Sequence, residues 1–187
     1  MSFEFSRRNF MKYTAVAAVA LAGASLFTGC KNSGDSYNLL KEGVGELTVL
    51  QVTAAMGNKN KDGKYTITAL QAGRDVKISF PMSITNGRTN PIYVTPDNFK
   101  VVVTSSDGKN VKKHSVTIED ALKDTNLKKG SSVSGYVTIA QGVDLKEGDV
   151  VVLTYCPDLQ YNEYSLNWKL TVSKSENTST SPAPGTT

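Results

Sequence analysis

The chain has 187 residues, of which 39% are hydrophobic and 20% charged, with a formal charge of +4, two cysteines and one histidine. That length suits one globular domain. With only His114, Cys30 and Cys156 available, most zinc sites, iron facial triads and Ser-His-Asp relays are excluded, because they draw on several of these side chains.

The chain opens with Arg7, Arg8 and Lys12, and from Tyr13 to Cys30 there is no charge. A basic start followed by a short apolar stretch is the organisation of an export signal. The stretch is rich in alanine from Ala15 to Ala24, shorter and less hydrophobic than a permanent membrane helix requires. Ser6, Arg7, Arg8, Phe10 and Lys12 stand in the order Ser-Arg-Arg-Asn-Phe-Met-Lys, which resembles the twin-arginine export signal, with Met11 in the usual leucine place.

Leu26-Phe27-Thr28-Gly29-Cys30 closes the apolar stretch and resembles a lipobox. The resemblance implies cleavage before Cys30 and diacylation of its thiol, which forms the thioether to diacylglycerol. Small residues at Thr28 and Gly29 suit the peptidase groove; Phe27 departs from the usual leucine. Two acyl chains anchor a protein stably where one gives only marginal binding. The expected organisation is a signal over 1–29, a lipidated polar tether over 30–44, a β-sandwich over 45–172 and a disordered Ser/Thr/Pro-rich tail over 173–187.

Cleavage changes the charge. The signal carries Arg7, Arg8 and Lys12 against Glu4, so half of the formal +4 is lost with it. What remains gives no clustered basic face of the kind nucleic acid selects, and no nucleic-acid partner is expected. Lys109, Lys112 and Lys113 beside His114 read as a solvated loop. With Cys30 lipidated, Cys156 has no partner for an intramolecular disulfide. It reads as a half-buried cysteine at a strand end rather than a reactive thiol.

The first clear strand covers Arg74 to Thr85, where Val76, Ile78, Phe80, Met82 and Ile84 alternate with polar residues and Pro81. Period two marks a strand with one buried face. Pro81 points outward there and cannot donate to a ladder, which predicts an edge strand or a bulge. Tyr164, Leu166, Trp168, Leu170 and Val172 repeat the alternation near the C-terminus, which turns the only tryptophan into the core. Further runs rich in Val, Ile, Thr, Tyr and Phe cover 46–54, 64–70, 99–104, 133–140 and 150–156, with an additional one at 91–95. Asp62-Gly63, Asn86-Gly87, Asp107-Gly108, Lys129-Gly130 and Gly148-Asp149 supply turns between them. Seven to eight short strands with such connectors predict an all-β, antiparallel sandwich. Ser115 to Leu127 reads either as a helical turn capped by Thr117 or as a long crossing loop.

In their order, these elements resemble the immunoglobulin-like bacterial lipoproteins grouped as a domain of unknown function, related in fold to the immunoprotective extracellular antigen. The resemblance covers roughly Gly45 to Val172. It is carried by the strand into Asn86-Gly87-Arg88-Thr89-Asn90-Pro91, by Asn98-Phe99-Lys100-Val101 before Ser106-Asp107-Gly108-Lys109, and by Leu127 to Val137 with its Gly135-Tyr136 pair. It implies that the sandwich is immunoglobulin-like and brings no catalytic residues.

Candidate chemistry is sparse. Blue copper needs two histidines, and a copper site from His114, Cys156 and Met82 competes with the simpler placement of Met82 in the core. Asp144 to Asp149 lacks the alternating oxygen ligands of a calcium loop. No phosphate-binding glycine loop is present. No buried carboxylate pair for glycoside hydrolysis follows from the strand pattern, and no cofactor is expected. The candidate contact loop is Pro157 to Glu163, where Leu159 and Tyr161 stand among polar residues. These readings converge on a non-enzymatic binding module on the extracytoplasmic face of the membrane. Its expected partners are the membrane, through the anchor, and an unidentified extracytoplasmic protein or small ligand. The alternative is a redox protein that loads a metal or cofactor before folded export.

Overall fold

The structure is a computed structural model, and it describes residues 38–160 and 164–175. In chain order the strands are β1 (Asn38–Glu42), β2 (Gly45–Val49), β3 (Val52–Met56), β4 (Asn58–Lys59), β5 (Tyr65–Thr66), β6 (Gly73–Val76), β7 (Ser79–Asn86) and β8 (Ile92–Val94). After a 3-10 turn at Pro96–Asn98 come β9 (Phe99–Thr104), β10 (Val111–His114), β11 (Val116–Ile118), β12 (Asp124–Leu127), β13 (Ser132–Ile139), β14 (Val143–Leu145), β15 (Val150–Tyr155) and β16 (Ser165–Thr171). Two five-stranded sheets face each other, one ordered β1-β16-β15-β9-β10 and the other β11-β13-β7-β3-β2. Three two-stranded pairs, β12-β8, β14-β6 and β4-β5, complete the fold.

The core forms where the alternation of the two sheets meets. Phe80, Met82, Ile84, Val52, Ala54 and Met56 come from one side, and Val101, Leu153, Tyr155, Leu166 and Trp168 from the other. Trp168 is fully buried, and its indole N–H donates to the carbonyl of Gly45 at 2.8 Å, joining the sheets. A buried indole needs such a partner, since an unpaired N–H in the core costs about 1–3 kcal/mol.

Several expectations need correction. The run over 46–54 is a hairpin, β2 turning into β3 at Leu50 and Gln51, which both adopt positive φ (49° and 60°). A two-residue turn with both residues left-handed matches the twist of a hairpin, but it is usually written Asn-Gly. The run from Arg74 is broken between Val76 and Ser79, so β6 pairs with β14 while β7 joins the main sheet. Pro81 marks neither an edge nor a bulge, because β7 is the central strand of its sheet. The Pro81 carbonyl accepts from Gly57 N–H at 2.8 Å just beyond the end of β3, so the missing donor falls where that ladder already stops.

The sandwich is also not wholly antiparallel, since β1 runs parallel to β16. That strand lies inside 30–44, the stretch expected to be tether. Within 115–127 the chain forms β11 and β12 around one tight turn, in which Leu122 and Lys123 donate to the Glu119 carbonyl, so Thr117 is a strand residue and caps nothing. Lys112 and Lys113 belong to the edge strand β10, not to a loop. Charges on an edge discourage pairing with another chain.

Candidate functional site

Strand register sorts the connections into two ends. At one, here called the near end, lie the Leu50-Gln51 turn, the connection after Asn86, the turn before Phe99 and the residues following Tyr155. The register places Val52 against Asn86, Phe99 against Tyr155 and Tyr155 against Leu166. Asn38, the first residue of β1, pairs with Ser165 and so belongs to this end too.

Asn86 organises it. Fully buried, its side-chain amide donates to the carbonyls of Asn90 and Leu127, both at 2.9 Å, while its oxygen accepts from Arg88 N–H at 2.8 Å. The Asn86 backbone N–H donates to Ser131 and its carbonyl accepts from Gly130. Gly87 follows because a Cβ there would stand 2.6 Å from the Gln51 carbonyl oxygen. Asn98 repeats the device: its oxygen accepts from Thr95 N–H and its amide donates to the Cys156 carbonyl. Asn86-Gly87 announces a turn in sequence, but the buried hub is not legible there, because Leu127, Gly130 and Ser131, which complete it, lie far along the chain.

This scaffold holds apolar side chains out in solvent. Leu50, Tyr93 and Leu159 are 36%, 61% and 51% exposed, three of the five large hydrophobic residues that are exposed among the described residues. Arg88 lies between them and forms an ion pair with Asp158 at 3.3 Å. A groove of about 490 Å³ runs past Arg88, Tyr93, Pro157, Asp158 and Leu159, and a shallower one of about 310 Å³ joins Arg88 to Leu50. Leu159, named in sequence as part of a candidate contact loop, is exposed beside this groove; Tyr161, Cys30 and the export-signal residues lie outside the described residues. Leu50 and Tyr93 are hidden in sequence because each lies within an apolar run, Val49-Leu50-Gln51-Val52 and Ile92-Tyr93-Val94, that reads as an ordinary strand segment.

Two other concavities lie away from this end's apolar side chains. On the outer face of the second sheet a groove of about 440 Å³ is lined by Tyr65, Pro81, Ser83, Ser134 and Tyr136. Its surroundings are rich in hydroxyls that pair with one another, Thr85 with Ser132 at 2.7 Å, Ser79 with Thr138 at 2.8 Å and Thr48 with Thr53 at 2.9 Å. At the far end a groove of about 550 Å³ is lined by Ser105, Asn110, Lys112, His114, Asp144, Lys146 and Asp149. Burial first and the Lys112 charge second push the His114 pKa down, and its Nε2 is buried without a hydrogen-bond partner among the described residues.

His114, Cys156 and Met82 do not form a donor set. His114 lines the far-end groove, Cys156 is held at the near end by its backbone pairing with Asn98, and Met82 is a core residue of β7. Burial raises the Cys156 pKa, with Lys100 only partly opposing it, so the thiolate is disfavoured. Among the described residues no group of three or more His, Cys, Asp and Glu is placed to hold a metal ion. No helix among them is long and apolar enough to cross a membrane.

Comparison with known proteins adds the route of export. Residues 4–24 match the family of TAT (twin-arginine translocation) pathway signal sequences. No curated protein matches the chain. Among solved structures it is similar to the ycdA protein of Bacillus subtilis, described as a lipoprotein candidate, with 18% identity and TM-score 0.44 over 67% of this chain and 38% of that one. It is similar to the yjhA protein of Bacillus subtilis, with 11% identity and TM-score 0.45 over 69% and 98% of the two chains. An uncharacterized β-sandwich protein of Clostridium difficile 630 shows 15% identity and TM-score 0.39 over 76% and 100%.

Proposed function

We propose that the chain is an exported protein anchored through acyl chains on Cys30, and that it works as a binding module without catalysis. The twin-arginine signal supplies the route. The residues that resemble the immunoglobulin-like lipoproteins of unknown function support a shared fold and a shared mode of display. The observation that carries the binding role is the near-end patch: Leu50, Tyr93 and Leu159 are exposed around Arg88 on a scaffold made rigid by buried Asn86 and Asn98. Such a cluster of large apolar side chains around a guanidinium has the composition of a contact surface. The redox alternative requires a donor set and finds none among the described residues.

Photo-crosslinking in cells tests this reading. A benzoylphenylalanine in place of Leu159 is expected to give a defined adduct, and one in place of Lys109 at the far end is expected to give none. Equal labelling from both positions, or none from either, would overturn the assignment of the binding surface.

A further inference from the structure

The near end carries one more feature, the point at which the chain enters the fold. Asn38 opens β1 beside Ser165, whose hydroxyl donates to the Asn38 side-chain oxygen at 2.7 Å. Leu159 stands in the connection that leads to this same Ser165. From Cys30 to Asn38 the chain advances eight residues, which span at most about 29 Å even when fully extended. The point of entry and the apolar patch therefore share one end of the sandwich, with Cys30 a short length of chain away.

We infer that the partner of the near-end patch is the surface of the lipid leaflet that carries the anchor. The inference rests on the acylation of Cys30 proposed above. A leash of this length holds the patch at an effective concentration in the millimolar range, so contacts too weak to recruit a free protein suffice to orient a tethered one. The side chains suit a headgroup layer. Leu50 and Leu159 offer apolar area, and Tyr93, an amphipathic ring, is of the type enriched at membrane interfaces. Exposed Lys128 and Lys129 lie beside Gly130, whose N–H donates to the Asn86 carbonyl, and with Arg88 they face anionic phosphates. Asp97 and Asp158 oppose them at this end, and Asp158 is engaged by Arg88. The two other exposed large hydrophobics, Val111 and Tyr136, lie on the edge strand β10 and on β13, away from the point of entry. Seating the near end on lipid leaves the far-end groove around Lys112, His114 and Lys146 turned toward the surroundings.

The experiment uses the full acylated chain, purified from membranes and reconstituted into vesicles of phosphatidylethanolamine and phosphatidylglycerol. An environment-sensitive fluorophore is attached at Leu159→Cys or, as the far-end reference, at Lys109→Cys; the remaining thiol, Cys156, is buried. The expected result is a blue shift, quenching by shallow nitroxide lipids and loss of iodide quenching at position 159, with none of these at 109. Replacing Lys128 and Lys129 by glutamate should restore part of the iodide quenching at 159. A label at 159 that remains fully open to iodide while the protein stays on the vesicles would overturn the lipid seat and leave the anchor intact. A protein adduct from position 159 in cells, with no lipid protection in vesicles, would also overturn it, while supporting a protein partner for the same patch. Protein that does not partition to membranes and carries an unacylated Cys30 would remove the anchor and the seat together.

Discussion

The two ends of the sandwich face the same physical problem and meet it with different chemistry. Where strands stop, backbone N–H and C=O groups lose their ladder partners and must find others. The near end satisfies them with neutral buried amides, Asn86 and Asn98. The far end uses a buried carboxylate: Asp149 accepts from the backbone of Ser106 at 3.0 Å and of Lys146 at 2.8 Å. Around Asp149 the exposed side chains are mostly charged or polar, including Asp107, Lys109, Lys112 and Lys146, whereas around Asn86 they include Leu50, Tyr93 and Leu159. Capping a sandwich therefore does not require exposed apolar residues. Three of the five exposed large hydrophobics gather at the near end, against Val111 alone beside the far-end groove, and that concentration is what the proposed contact surface rests on.

Substitutions at the two hubs should separate the ends. Asn86→Ala leaves the carbonyls of Asn90 and Leu127 and the N–H of Arg88 without their partner, and should cost about 3 kcal/mol. Hydrogen exchange should then speed at the near-end amides while Ser106 and Lys146 keep their protection. Asp149→Ala should do the reverse at about 2 kcal/mol, since two backbone donors lose one acceptor group. Equal loss of protection at both ends in either variant would contradict their independence.

A smaller effect is expected from pH. His114 has its pKa held below the ordinary value of 6.5, so the unfolded chain takes up this proton before the folded one does. Stability should accordingly be greatest above that value and fall as the pH drops through it toward the folded pKa. Between about pH 7.5 and pH 5, melting temperature should decline more steeply in the wild type than in His114→Gln, with the difference read at the far end. Identical slopes would remove burial of this imidazole as a stability term. The smallest change in stability belongs to Leu159→Ser, within about 0.5 kcal/mol because the side chain is half exposed. That variant should nevertheless weaken whatever the near end binds, a separation of stability from binding that a purely structural leucine would not show.

Much of the fold is written in the period-two pattern. Phe99–Thr104, Val150–Tyr155 and Ser165–Thr171 fall within a residue or so of their expected spans, and Trp168 is buried where alternation places it. The failures have local causes. Leu50 and Gln51 form a tight left-handed turn without the glycine or asparagine that announces one. Pro81 escapes its usual edge position because β3 ends one residue before it matters. Strand β1, Asn-Leu-Leu-Lys-Glu, lacks period-two alternation and follows a polar stretch, and only its pairing with β16 makes it part of the sandwich. At the candidate site, Leu159 was visible as an apolar residue in a polar connector. Leu50, Arg88 and Tyr93 were not, since a hairpin turn, the connection after Asn86 and strand β8 converge there only after folding.

Both the anchor and the seat on lipid depend on Cys30. Mass analysis of the N-terminal peptide from membrane-purified protein should find Cys30 as the first residue, bearing a diacylglyceryl thioether. A Cys30 with a free thiol, whether inside a longer peptide or removed by cleavage elsewhere, would contradict both.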